Sequence, residues 1–221
     1  MRYNHIVIIF NFRGVNMADN LIITIGRQYG SGGHEIAREL SKLMGIKMYD
    51  KELIELSAIK SGIDPEVLHM YDEHPTNSLL YSMSMGVNPF SASVSGIHYE
   101  PMGDRVFKAQ AEIIRHIADE ESCIFVGRCA NSVLRDRKNV LSVFIHADLE
   151  QRITRICEYE NISRAKAADI IKKADKRRAG YCSHFSDIKW GVASNYDLCI
   201  NSAIGFDNAA QLIHFFSKHH K

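Results

Sequence analysis

The sequence predicts an α/β protein in which a parallel sheet is flanked by helices on both faces. Three observations carry that expectation. Short continuous apolar runs such as "LIITI" (residues 21–25) lack the in-and-out alternation of a half-exposed strand. These runs alternate with longer stretches of helical period, as βαβ units require. A glycine-rich turn, "RQYGSGGHEIA" (residues 27–37), stands between the first strand and the first helix.

Taken in order, residues 21–25 form the first strand. Ile36, Ala37, Leu40, Leu43 and Met44 share one helical face, and Gly45 supplies the stop. "IKMYD" (46–50) reads as a second strand, followed by a helix from Lys51 and another with Asp64 as N-cap and Pro65 at its first position. Residues 77–101 are rich in Ser, Met and Gly without a sustained period; they read as a mobile insert on the substrate side or as a plain surface excursion. Val106, Ala109, Ile113, Ile114 and Ile117 then mark a helix. "CIFVG" (123–127) and "VLSVFIHA" (140–147) read as buried strands, after which Asp148 caps a helix with Gln151 reaching back. The helix that starts near Ser163 is expected to end in the basic run "KKADKRR" (172–178). "YDLCIN" (196–201) is the last strand, and Ala209, Leu212, Ile213 and Phe216 define a closing helix. The expected organisation is one domain over 20–221, preceded by an N-terminal extension over 1–19 in which Met17 stands just before the first strand.

A chain of 221 residues, 46% hydrophobic and 24% charged, can bury roughly 70% of its unfolded surface in a single core. Its net charge of +1 gives no basis for nucleic-acid binding. Cys123, Cys129, Cys157, Cys182 and Cys199 form no CxxC pair or metal-like spacing, so free thiols in a reducing compartment are expected. "IVIIF" near the start is too short for a membrane span and has no cleavage site after it, so no membrane association and a cytoplasmic location are expected. Nothing in the sequence sets the oligomeric state.

The glycine turn carries the chemistry. A strand-to-helix turn presents unpaired N–H groups and the positive end of a helix dipole, which together bind anions. Gly30, Gly32 and Gly33 let the backbone approach a phosphate closely, with Ser31 between them and Arg27 and His34 on either side. A dinucleotide fingerprint starting at Gly30 would need glycine at position 35, where Glu35 stands. Alignment to a phosphate loop of the GxxxxGK type puts Arg27 at the first glycine and Gly33 at the lysine. The charge that this lysine brings to the β- and γ-phosphates has to come from elsewhere.

With these residues in view, the chain resembles the cytidylate kinase-like family of P-loop proteins. "ITIGRQYGSGGHEIARELSKLMGIKMYD" looks like the family's first strand, modified phosphate loop, helix and second strand. "IFVGR" resembles its "DGR" strand end, "FIHADLEQRITR" the strand and helix before the lid, "KKADKRRAGY" the arginine-bearing lid, and "NYDLCINSAIGFDNAAQLI" the last strand and helix. The likeness runs from about Asn20 to the C-terminus except over 77–101. Two positions depart from it: Val126 and Cys129 stand where cytidylate kinase has the two Asp residues of "DGRD". The resemblance implies a three-layer P-loop kinase fold with lid and NMP-binding-like segments, the lid lying over 172–190.

The resemblance also implies roles. Lys176, Arg177 and Arg178 become lid cations that offset transition-state charge, against the plainer reading that cations gather at a helix C-terminus. Asp50, Arg105 and Arg128 fall near the carboxyl ends of parallel strands, where open α/β sheets bind ligands, and are expected on the acceptor side, against the plainer readings of helix capping or a surface ion pair. ATP and Mg²⁺ are the expected cofactors, with no protein ligand to the metal assigned. Two functions fit: transfer of the ATP γ-phosphate to a nucleoside monophosphate or similar small phosphorylated acceptor, or a non-catalytic nucleotide- or phosphate-binding regulatory module.

Overall fold

A computed structural model of the protein describes residues 20–50, 53, 56, 62–64, 66, 67, 70, 73 and 101–219. The expected extension over 1–19, and the insert over 77–101 apart from Pro101, lie outside the described residues. The strands are β1 (Ile22–Arg27), β2 (Lys47–Tyr49), β3 (Cys123–Val126), β4 (Val140–His146) and β5 (Leu198–Asn201). The helices are α1 (Gly33–Met44), α2 (Met102–Glu120), α3 (Ala130–Val133), α4 (Leu149–Glu160), α5 (Arg164–Phe185) and α6 (Phe206–Ser217).

All five strands are parallel, in the order β2-β3-β1-β4-β5. Because side chains alternate along a strand, β1 fills both layers. Ile23 and Ile25 pack with Ile36 and Leu40 of α1 and Ile213 of α6, whereas Ile22 packs on the opposite face with Ile113, Ile114 and Ile117 of α2. Leu53, which is helical, joins that second layer. The result is the three-layer α/β arrangement expected from the sequence. No helix among the described residues is long and apolar enough to cross a membrane.

Local signals hold where the chemistry is local. Gly45 ends α1 in the left-handed region at φ 67°, and its N–H bonds to the Ser41 carbonyl. The Glu66 N–H donates to Asp64 Oδ1 at 2.8 Å, the cap expected there. Two expectations are corrected. Asp148 precedes α4 without a side-chain cap bond, and Gln151 Oε1 is buried with no partner among the described residues, so that capping box does not form. The basic run does not end a helix either. Helix α5 continues through it to Phe185, because Tyr181 and Cys182 keep a buried face going and the Phe185 ring stacks on Phe107 at 4.2 Å. Lys176, Arg177 and Arg178 therefore sit in mid-helix, which removes the C-terminal dipole as their explanation. Residues 172–185 of the expected lid belong to this helix.

Leu40 is fully buried between α1 and the sheet. Leu40→Ala is expected to lower stability by roughly 2–5 kcal/mol in urea unfolding through the cavity it leaves.

Candidate functional site

The order in which strands are added switches sides at β1: β2 and β3 lie on one side of it and β4 and β5 on the other. Open α/β sheets bind ligands outside the carboxyl ends of the strands at such a switch point. Arg27 ends β1, Asp50 follows β2, and Gly127 and Arg128 follow β3, so register alone brings four of these residues together.

The glycine loop is built by contacts from both sides. Gly30 and Gly32 take φ of 74° and 81°, and a Cβ on Gly32 would collide with the Phe206 ring. Arg155 lies over that ring and donates to the Gly30 carbonyl at 3.2 Å. The Tyr29 N–H donates to Asp175 Oδ1 at 2.8 Å, and Asp175 also holds Arg152 at 2.6 Å. Helix α5 is thus tied to the loop. Ser31 is fully buried and its hydroxyl donates to the Gln28 carbonyl at 2.8 Å, so it braces the turn. The backbone N–H groups of Gly32, Gly33 and His34 make no hydrogen bond among the described residues, and they open α1.

Gly33, at the lysine position, has a steric cause in the structure. A Cβ there would lie 2.6 Å from Arg27 Cβ and 3.0 Å from its Cγ. The Arg27 stem lies across that space, and its guanidinium donates to Glu73 Oε1 at 2.6 Å. Gly127 is the second gap: a Cβ on it would collide with Arg27 Nη1 and Glu73 Oε1. From α5, Arg178 donates through Nε to Glu73 Oε2 at 3.1 Å and through Nη1 to the Arg27 carbonyl at 3.2 Å. Two guanidinium groups, each with a side chain about nine-tenths buried, therefore converge on one carboxylate.

Beside it, Arg128 pairs with Asp50 and donates to the Val126 carbonyl at 2.9 Å, while His34 Nδ1 meets Asp50 Oδ2 at 3.1 Å. Gly127, Arg128 and Cys129 are all left-handed, at φ 80°, 54° and 53°. For the two non-glycine residues that conformation is strained, and it aims the Arg128 side chain at Asp50. The cavity between these groups is completed by Tyr181, Trp190 and Tyr196. Cys129 and Cys182 also line it, both buried and free.

Of the residues expected from sequence, Arg27, Arg128 and Arg178 line the cavity. His34 pairs with Asp50. Lys176 is exposed, and Arg177 is partly buried with its Nε unpartnered among the described residues. Arg105 is exposed in the first turn of α2 and lines none of the cavity. Glu73, the centre of the cluster, was missed; a single Glu in "YDEHP" carries no pattern that marks it. Among the described residues no three His, Cys, Asp or Glu side chains stand together as a metal site, and His34 occupies the place where a phosphate loop has Ser or Thr. The chain's own residues therefore do not fit a dedicated magnesium cage.

Burial alone would raise the Asp50 carboxyl, but the His34 hydrogen bond and the charges of Arg128 and Arg27 outweigh it and hold Asp50 well below the usual range. Glu73 is likewise held low, burial being outweighed by Arg27, Arg178 and Arg128. A depressed carboxyl contributes stability above its unfolded value, here 3.8 for Asp50 and 4.5 for Glu73, and loses it as pH falls below. His34 is raised from 6.5 by the Asp50 bond, so its share is present below that value and fades as pH climbs past the raised one. Stability in urea should accordingly fall steeply below about pH 4.5. Asp50→Asn should lose roughly 3–5 kcal/mol at pH 6 and show a flatter acid limb.

None of the curated proteins is matched. A solved structure of an uncharacterized protein from Eubacterium ventriosum is 28% identical, with a TM-score of 0.66 and coverage of 90% of this chain and 99% of that one. Shikimate kinase from Acinetobacter baumannii is 12% identical with a TM-score of 0.48, over 93% and 96% of the two chains. Shikimate kinase from Aquifex aeolicus is 14% identical with a TM-score of 0.43, over 90% and 97%. The model of the cytidylate kinase-like family matches residues 22–204, and the chain belongs to that family.

Proposed function

We propose that the protein is a kinase that transfers the ATP γ-phosphate to a small phosphorylated acceptor of the nucleoside monophosphate kind. The observation that carries this reading is the convergence of Arg27 and Arg178 on a single anion beside the glycine loop. The free N–H groups of Gly32, Gly33 and His34 and the α1 dipole would hold the donor phosphates. Arg27, reaching over Gly33, brings the positive charge that a phosphate-loop lysine brings from the opposite side. Arg178 adds a second fixed cation. Both are aimed before the reaction begins, and preorganised charge of this kind lowers the barrier to phosphoryl transfer.

The acceptor belongs on the β2 and β3 side, where Arg128 offers a guanidinium suited to a phosphate and Asp50 holds it in orientation. Trp190 and Tyr196 supply flat apolar surface at the cavity wall. Val126 and Cys129 stand where cytidylate kinase has two carboxylates, which favours an acceptor other than CMP. Mg²⁺ would come with the nucleotide and would help neutralise its phosphate charge, with no residue of the chain assigned to hold it.

The test is product formation from Mg-ATP with a panel of nucleoside monophosphates and other small phosphorylated or hydroxylated acceptors. Arg27→Ala and Arg178→Ala should each lower kcat/KM by roughly 100- to 1,000-fold. Lys176→Ala, at an exposed position, should stay within about twofold. Tight ATP binding with no acceptor phosphorylated would favour the regulatory module, and undiminished turnover in Arg178→Ala would remove the proposed charge donor.

A further inference from the structure

The Glu73 carboxylate sits where the proposed mechanism needs a phosphoryl group. Its two oxygens are divided between Arg27 and Arg178, it is buried, and Gly127 lacks the Cβ that would exclude it. The space left among the lining residues is about 30 Å³, room for a water or two but not for a phosphoryl group as well. A phosphoryl group placed beside a buried carboxylate would also set two anions against each other in a poorly screened site. Glu73 itself is in the left-handed region at φ 52°, an uncommon conformation for a long side chain and one held here by its two ion pairs.

We infer that Glu73 is an internal competitor, a carboxylate that occupies the oxyanion seat between Arg27 and Arg178 and must leave when a phosphoryl group enters. This rests on the phosphate-site reading above and adds the regulation of that site. In the resting state Glu73 neutralises two crowded guanidiniums. Burial and the neighbouring charge of Arg27 hold Arg178 down to about 10, while the Glu73 carboxylate acts in the opposite direction. A phosphoryl group supplies more negative charge than the carboxylate and takes over both arginines. Ligand affinity is then reduced by the fraction of molecules in which the seat is filled by Glu73.

Pyrophosphate binding to the full chain, followed by calorimetry at pH 7.5, separates the outcomes. Glu73→Gln keeps the shape and removes the charge. It should bind pyrophosphate about tenfold more tightly than wild type, and melt lower than wild type without ligand but gain more on adding it. Glu73→Asp, a shorter carboxylate, guards against a Gln variant that fails to fold and should also bind more tightly than wild type. If wild type binds pyrophosphate and the variants bind equally or more weakly, Glu73 is a permanent counter-ion; the displacement idea is overturned while the phosphate site stands. If neither wild type nor the variants bind, both are overturned.

Discussion

The site depends on one steric exchange: the Arg27 side chain lies where a residue at position 33 would put its own. Arg27 Cβ and Cγ come within 3.0 Å of the place a Cβ on Gly33 would take, so the loop can hold a cation from the end of β1 or from the start of α1, not both. Everything around it accommodates that choice. Gly127 leaves room for the guanidinium, Glu73 neutralises it, and Arg178 bonds both to Glu73 and to the Arg27 carbonyl. In the proposed reading, the cation that the linear motif lacks at position 33 is Arg27, at the end of β1.

The fold places the exchange with little freedom. Parallel register sets Ile25 beside Val126, so the residues just beyond them on β1 and β3 face each other. Three consecutive left-handed residues turn the chain sharply after β3 and deliver Arg128 to Asp50. On the other side, Asp175 fixes the Tyr29 N–H and Arg152 together, so α5 is anchored to the loop one helical turn before it presents Arg178. Burial of these charges makes the arrangement stiff, because removing any one partner strands another in a low-dielectric setting.

Much of the layout was legible because its signals are local. Continuous apolar runs marked the strands, a 3.6-residue stripe and Gly45 marked α1, and Asp64 marked a cap. The end of α5 was not legible: charged residues in "KKADKRR" masked a buried face that only becomes apparent when Tyr181 and Phe185 meet Phe107 from α2. Motif position singled out Arg178 and Arg128, which line the cavity, whereas the partners of Ser31 and His34, the Gln28 carbonyl and Asp50, are ones that no spacing rule foretells. Glu73 lies 46 residues from Arg27 and 105 from Arg178, and long-range ion pairs leave no periodic trace.

The steric exchange is tested most directly by a double-mutant cycle of Arg27→Gly and Gly33→Lys, reading stability in urea and Mg-ATP binding. Each single variant should be impaired, Gly33→Lys because its stem collides with Arg27 and Arg27→Gly because the loop loses its cation. The double variant should recover part of both properties, with a favourable coupling of about 1–3 kcal/mol. A Gly33→Lys protein that is as stable as wild type and binds Mg-ATP equally well would contradict the account, since it would show that both cations fit and that Gly33 owes nothing to Arg27.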